Sequence, residues 1–585
     1  MEKPLKLVPI GIDNFKKMIE RNSYFVDKTM FIKDIIENIS EVILFTRPRR
    51  FGKTLNLSML KCFLEIPHCR KLSGENKDYS YLFQEFKIFK KGDFVEKHFG
   101  KYPVLNFSFK KIKANNWQDA AYLFKEEISR EYNRFNFLLE SDINISSGNR
   151  KKFKRIIDME GRVIEYTAAI TELTKYLKEY YASPVIVLID EYDTPLHYAK
   201  LNNYYEEMLN IMRALTVDGL KGNENLEKAI VTGIMKISQE SIFSSFNNPE
   251  ICTVTSNNYN KYFGFTENEV FKLLDYYNLE DCKDKVREWY NGYIFGENEV
   301  IYNPWSILNF VKEKGDKPDV YWVNTGDTSL IKKCLQLDHS KGKSYIRRLY
   351  QGETLEKEVE ENIIYEDVFN NVDKALSYLL HAGYLNARKS EKDVDQYFLS
   401  IPNREIKVIY KNILKNWFSA EQQTDSLIND LFSHLKRGNI EKFEDDLASL
   451  LLTVSSYYDT AQANRRIKKT SRREETDRFE NFYHGLMLGL MINISGDYYL
   501  ESNKEYGLGR PDLVILPKEK EKRAFIMEFK NVYTSSNKSV EKAAREALKQ
   551  IEEKKYEEEI KKTGVKDILK LGLGFKGKEL KIVVD

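Results

Sequence analysis

Apolar residues in the first part of the chain gather into short unbroken runs, Val42-Ile43-Leu44-Phe45, Val104-Leu105, Val185-Ile186-Val187-Leu188-Ile189 and Ala229-Ile230-Val231. Between these runs, apolar residues recur every third or fourth position. Unbroken runs of this length suit strands covered on both faces, and the intervening period is that of amphipathic helices. Helices are expected over residues 12–21, 30–38, 55–64, 120–132 and 163–181, with 135–161 polar and irregular. Strand and helix alternate, which predicts an α/β fold with a parallel, doubly wound sheet.

Further on the pattern changes. Residues 267–310 read as helical around the turn-rich Trp289-Tyr290-Asn291-Gly292-Tyr293 and the Tyr302-Asn303-Pro304-Trp305 element, as a lid over the sheet would. A helix over 373–384 followed by extended 397–402 gives a winged-helix-like unit, charged 351–362 reads as a solvated face, and 406–458 is helical. Alternation returns near the C-terminus. Strands over 510–516 and 524–530 flank a charged turn, and a helix over 542–556 precedes strands at 571–575 and 580–584, a second α/β unit. The expected domains are 1–265, 266–405, 406–475 and 476–585.

Composition narrows the classes. With 585 residues, 42% hydrophobic and 31% charged, the chain has room for several cores of ordinary make-up. A net charge of only +3 argues against a uniformly basic coat, so nucleic acid would be met by local patches. The densest patch is Arg465, Arg466, Lys468, Lys469, Arg472 and Arg473, which reads equally as a solvated linker or as an arm contacting phosphates. The five cysteines are scattered without a C-x-x-C pair, so neither a disulfide framework nor a zinc site is indicated. No apolar run of about 18 residues is present to span a bilayer and residues 1–8 lack an apolar signal core, which gives a cytoplasmic expectation with no membrane partner.

Candidate chemistry sits at the ends of the strand runs. After 42–45 comes Arg47-Pro48-Arg49-Arg50-Phe51-Gly52-Lys53-Thr54, placed where a phosphate-binding loop opens a helix. Backbone N–H groups of Arg49 through Thr54 would cradle phosphates of ATP, Lys53 would neutralise their charge and Thr54 would ligate Mg²⁺. Arg47 stands where such loops usually carry their first glycine, and Arg49 and Arg50 add cations beside the phosphates. The run 185–189 ends in Asp190-Glu191-Tyr192-Asp193, where Asp190 would hold the Mg²⁺ shell and Glu191 would orient the attacking water. Thr232 ends its own strand, within reach of the γ-phosphate or the water. Tyr24 or Phe25 could stack on the base, or simply pack in the core.

In the C-terminal unit, Asp512 lies at the start of one strand and Glu528-Phe529-Lys530 in the next. A hairpin would bring the Asp512 and Glu528 carboxylates together, with Glu528 and Lys530 on one face and Phe529 packed behind. Two such acids can hold Mg²⁺ or Mn²⁺, which activates water against a phosphodiester while Lys530 positions it. Glu480 could add a carboxylate, and Gln550 or Tyr556 could touch a nucleic-acid backbone.

These residues carry a resemblance. The segments Tyr24 to Thr29, Arg47 to Thr54, Leu188 to Asp193 and Thr232-Gly233-Ile234 look like the bacterial AAA-ATPase-like family, whose loop also tends to read Arg-Pro-Arg-Arg-Phe-Gly-Lys-Thr. Asp512 with Glu528-Phe529-Lys530 resembles the PD-(D/E)XK nuclease domain often fused to it. The resemblance implies a P-loop NTPase core, a restriction-endonuclease-like C-terminal domain and a Mg²⁺-dependent nuclease of DNA or RNA controlled by an ATPase module. It suggests defence against foreign DNA as a role. Related ATPases work as rings, so a homo-oligomer with an arginine reaching across subunits is one arrangement, Arg213 and Arg287 being candidates by position. The rival expectation is a nucleotide-gated switch or a nucleic-acid-binding scaffold that does not cut.

Overall fold

Five parallel strands organise the N-terminal part of the protein, in the order 104–108, 185–190, 226–233, 42–46, 250–252. Every residue of Val42–Thr46 and Val185–Asp190 is buried, as unbroken apolar runs require. Their side chains join a core that includes Ile43, Phe45, Ile186, Leu188 and Ile230, with Phe63 and Leu60 of the Lys53–Leu64 helix. Each such buried side chain contributes about 1.5–3 kcal/mol. The strand carrying the loop and the strand carrying the acids are not neighbours. Leu226–Gly233 lies between them, so the ends of all three converge at one sheet edge.

The computed structural model describes residues 4–67, 69, 78–237, 249–322, 339–363, 368, 371–391, 393, 395–419, 424–454, 483–484, 487–488, 490–491, 497–502, 504–532, 539–576 and 579–585. Glu480 and the cluster from Arg465 to Arg473 lie outside the described residues. The chain divides into two units, Met1–Gly342 with Thr354–Lys407, and Lys343–Glu353 with Val408–Asp585.

Several elements depart from expectation. Residues 135–161 contain the helix Ser147–Ile157, capped by the Ser146 hydroxyl on the Asn149 N–H. It buries only Phe153 and Ile156 among many charges, too few apolar positions to register as a period. The expected helix over 163–181 is two, Val163–Tyr166 and Ala169–Tyr181. Within 267–310, helices Glu267–Tyr276, Lys283–Tyr290 and Pro304–Lys312 surround a hairpin of Tyr293–Phe295 and Glu299–Tyr302. Asn303 caps the last helix by accepting from the Trp305 and Ser306 N–H groups, and Pro304 fills its first turn. The charged stretch 351–362 is more than a solvated face. Its Leu355–Glu358 is a strand, paired with Gln396–Ser400 and through it with Asn386–Lys389, behind the helix Val372–His381.

In the second unit, a mixed sheet runs in the order 498–501, 513–517, 524–531, 568–576, 579–584. Alternation sorts its faces. Leu513, Phe525, Met527, Phe529, Leu571 and Leu573 point into one core, while Val514, Ala524 and Ile526 point into a second with Ile551 and Tyr556. Helix Val540–Glu553 covers the second face, and it comes unusually close. A Cβ on Gly572 would stand 2.2 Å from the Ala544 carbonyl oxygen, and one on Gly574 2.2 Å from that of Val540. Gly572→Ala is therefore expected to push the helix off the strand and destabilise this unit by about 1–3 kcal/mol, as overpacking does. Urea unfolding followed by circular dichroism would read the loss, and an unchanged midpoint would contradict this account of the glycine.

Candidate functional site

At the edge of the parallel sheet, Arg47 begins the loop and is wholly buried. Its guanidinium donates to the carbonyls of Thr46 (2.9 Å), Cys252 (2.7 Å) and Thr253 (2.6 Å) and to Asn260 Oδ1 (3.1 Å), tying two strand ends together. Arg47 thus occupies the first-glycine position as a structural strut. The left-handed residues of the loop are Arg50 (φ 69°) and Gly52 (φ 86°). At Arg50 this costs about 1–2 kcal/mol, a penalty glycine escapes. Phe51 turns its ring inward against Tyr293 and Phe295, so only its backbone is available to a ligand.

Lys53 and Thr54 start the helix. The buried Lys53 ammonium donates to the carbonyls of Arg47 (2.7 Å) and Pro48 (3.0 Å). Burial pulls its pKa down, and Glu191, Asp193 and Asp190 pull it back. The Thr54 hydroxyl donates to Asp190 Oδ2 (2.8 Å) and the Thr232 hydroxyl to Asp190 Oδ1 (2.7 Å). Burial foremost raises the Asp190 pKa, opposed by the Thr232 bond. Thr232, read from the sequence as within reach of phosphate or water, is 1% exposed with its hydroxyl engaged on Asp190, where it orients that carboxylate. Glu191 has φ 52°, which swings it off the strand axis into the cavity. Asp193 accepts from the Ile234 N–H (2.7 Å) and Met235 N–H (3.2 Å), while its buried Oδ1 has no hydrogen-bond partner among the described residues. Desolvation pushes it up to about 6. A hydroxyl–carboxylate pair beside a buried lysine at a helix N-terminus is a hard-oxygen set that fits Mg²⁺ and a polyphosphate.

A cavity of about 240 Å³ opens from this loop and runs to Pro9, Gly11, Ile12 and Phe265. Tyr24 and Phe25 border it, but their rings are engaged elsewhere. Tyr24 packs on Tyr276 (4.9 Å between centroids), and Phe25 on Phe15 and Phe86 (both 5.2 Å), the core-packing alternative. Among the lining residues that the sequence did not offer as ligand contacts are Lys110, Lys113 and Trp305. Nothing in a one-dimensional pattern marks them, since the turn after Ser108 brings the two lysines and the helix Pro304–Lys312 brings Trp305.

The second candidate site lies in the mixed sheet. Register pairs Leu513 with Met527, which sets Asp512 beside Glu528 on the helix-covered face. Asp512 Oδ2 accepts from the Phe529 N–H (2.7 Å), and the Asp512 N–H donates to Glu528 Oε2 (3.4 Å). Glu528 is 3% exposed, and the Gln550 amide donates to its Oε1. Gln550 therefore supports a carboxylate, and Tyr556, which the sequence suggested as a backbone contact, is 1% exposed beside it. Lys530 is half-buried on the same face and lowers the Asp512 pKa, with less weight than burial and the Phe529 bond. His484, also unforeseen, donates from Nε2 to the Asp512 carbonyl (2.7 Å), while Nδ1 faces the Gln351 amide nitrogen (3.1 Å). A carbonyl can only accept, which fixes the Nε2–H tautomer. Among the described residues no group of three or more His, Cys, Asp or Glu gathers in metal-holding geometry. Asp512 and Glu528 remain a buried oxygen pair that a divalent cation would fit.

Burial pushes Asp512 from 3.8 to about 6. A raised carboxyl favours folding below its unfolded value, and that contribution is lost as pH rises through the folded one. Metal-free Asp512→Asn protein is thus expected to gain thermal stability relative to the parent as pH rises from about 4 to about 6. Paired melting curves across that window would test it, and a constant difference would show that Asp512 is not desolvated.

Comparisons with known proteins match two regions of the chain. Residues 9–243 match the family described as "Predicted AAA-ATPase", and residues 478–585 match the PD-(D/E)XK nuclease superfamily. An uncharacterized protein in the vnfD 5' region of Azotobacter chroococcum mcd 1 is 26% identical over 576 residues, covering 96% of this chain and 94% of its own. Among solved structures, the Walker-type ATPase paby2304 of Pyrococcus abyssi aligns over 66% of this chain and 94% of its own, at 13% identity and a TM-score of 0.33, a loose likeness. Among the described residues no helix is long and apolar enough to cross a membrane.

Proposed function

We propose that this chain, which joins a predicted AAA-ATPase region to a PD-(D/E)XK nuclease superfamily region, is a Mg²⁺-dependent nuclease governed by ATP. The observation that carries the reading is the presence in one chain of Thr54 on Asp190 and of Asp512 beside Glu528. In the first site, loop N–H groups from Arg49 to Thr54 and the Lys53 ammonium bind phosphates. Thr54 and Asp190 would hold Mg²⁺, Thr232 keeps Asp190 aimed, and Glu191 positions water. In the second, Asp512 and Glu528 would hold the cation that supplies an activated water and offsets charge on the phosphodiester. Lys530 positions that water, and Gln550 and His484 hold the two acids in place. The substrate is DNA or RNA, and the protein is placed in the cytoplasm, alone or as a homo-oligomer.

The experiment is cleavage of labelled single-stranded DNA, duplex DNA and RNA by the purified chain, with and without Mg²⁺ and with and without ATP. Cutting that needs the metal and changes with ATP supports both halves. Failure to cut any substrate under every condition would transfer the weight to the nucleotide-gated scaffold.

A further inference from the structure

P-loop ATPases commonly complete their site with a cation that offsets charge on the departing phosphoryl group, given by the same chain or by a neighbour. Of the two arginines that sequence position offers here, Arg287 is bound through two nitrogens to Glu267 (3.0 and 2.8 Å), and Arg213 does not line the cavity. The chain holds another candidate. Strand Val104–Ser108 neighbours the acidic strand, with Ser108 opposite Asp190, so the turn that follows Ser108 crosses the sheet edge at the acids. That turn delivers Lys110 and Lys113 to the cavity that Lys53, Thr54 and Glu191 also line. Lys110 is held by Asp13 (3.0 Å). Lys113 lies 5.8 Å over the Tyr198 ring.

We propose that Lys113 is the cation this chain supplies in cis to the terminal phosphate of ATP, beside Arg50, which Trp305 holds in place. The inference rests on the reading of this site as an ATP site. Arg50 lies with its guanidinium 4.2 Å over the Trp305 ring. The Trp305 indole donates to the Tyr321 carbonyl (3.1 Å), and the Trp322 indole donates to that of Arg49 (3.1 Å). The loop arginines are thus braced from behind. Lys113 is exposed at the cavity, in the company of Arg49, Arg50 and Lys110, with Glu191 opposing them. Like charges gathered around one cavity repel one another, and an anion of several charges, as a triphosphate is, offsets that repulsion.

In the reaction the water oxygen bonds to the γ-phosphorus and the bond from that phosphorus to the bridging oxygen breaks. The electron pair leaves with ADP, the water proton passes to Glu191, and inorganic phosphate forms. Negative charge grows on the bridging and γ-oxygens, where the Lys113 ammonium offsets it.

The test compares parent, Lys113→Met and Lys113→Arg for turnover and for affinity toward fluorescent ATP and ADP. The expected result is a kcat about 10²–10³-fold lower in Lys113→Met, part of it restored in Lys113→Arg, with ADP affinity unchanged and the preference for ATP over ADP reduced. Turnover per chain should also stay constant on dilution, since no neighbour is needed. Parental kcat in Lys113→Met, or an unchanged ATP-to-ADP affinity ratio where the parent binds without turnover, would overturn the proposal. Equal loss of both nucleotides would reduce Lys113 to a structural role and overturn it too. A parent that binds neither nucleotide overturns the ATP reading itself, an outcome distinct from the others.

Discussion

Lys53→Ala is expected to weaken ATP binding by at least about 100-fold and to abolish turnover while the fold persists. The ammonium is the cation at the helix N-terminus, buried and within hydrogen-bond distance of two loop carbonyls. Charge-assisted bonds to phosphate are about twice as strong as neutral ones, and a hundredfold corresponds to about 2.7 kcal/mol. The fold should survive because the loop is also pinned by the Arg47 guanidinium, whose four hydrogen bonds do not involve Lys53. Removing a buried cation that faces three acids also leaves Asp190, Glu191 and Asp193 less balanced. Asp193, already near 6, should rise further. Isothermal titration with ATP and Mg²⁺ beside a thermal melt separates the outcomes: near-parental affinity would refute the phosphate role, and collapse of the melt would assign Lys53 to stability.

The parts of the molecule legible in the sequence are those where one element carries its own signal. Val42–Thr46 and Val185–Asp190 are strands because five and six consecutive residues are buried on both faces, and apolar runs report that directly. Glu528 and Lys530 fall on one face because strand alternation leaves no other arrangement once Phe529 is packed. What stayed hidden depends on elements meeting in space. Thr232 reads as a residue at a strand tip, but the sheet order puts its strand between the other two, so its hydroxyl meets Asp190 before any ligand. Lys113, Trp305 and His484 have no local pattern that sets them apart from other surface or helix residues, and nothing in the sequence ties Gln550 to Glu528. Helix Ser147–Ile157 was missed for a related reason, since it buries two side chains and its charged remainder imitates a loop.

Substituting Glu528 by alanine should reduce cleavage by about 10³-fold or more while ATP binding stays at the parental level, provided the C-terminal site is the nuclease. The carboxylate is nearly fully buried and held by Gln550, with the Asp512 N–H on its other oxygen, so its position is fixed. Asp512→Asn should act similarly, because the Phe529 N–H bond keeps the side chain in place while the negative charge that attracts a cation is lost. Gln550→Ala makes a graded comparison. It leaves both acids but removes the Gln550 bond to Glu528, so cleavage should fall less, by about 10–100-fold, and extra metal should restore part of it, as for a lost outer partner of a ligand. The three variants, assayed across a Mg²⁺ titration, distinguish a ligand from its support. If Glu528→Ala cuts as the parent does, the paired carboxylates are a structural hairpin, and the nucleic-acid-binding scaffold becomes the reading that fits this fold.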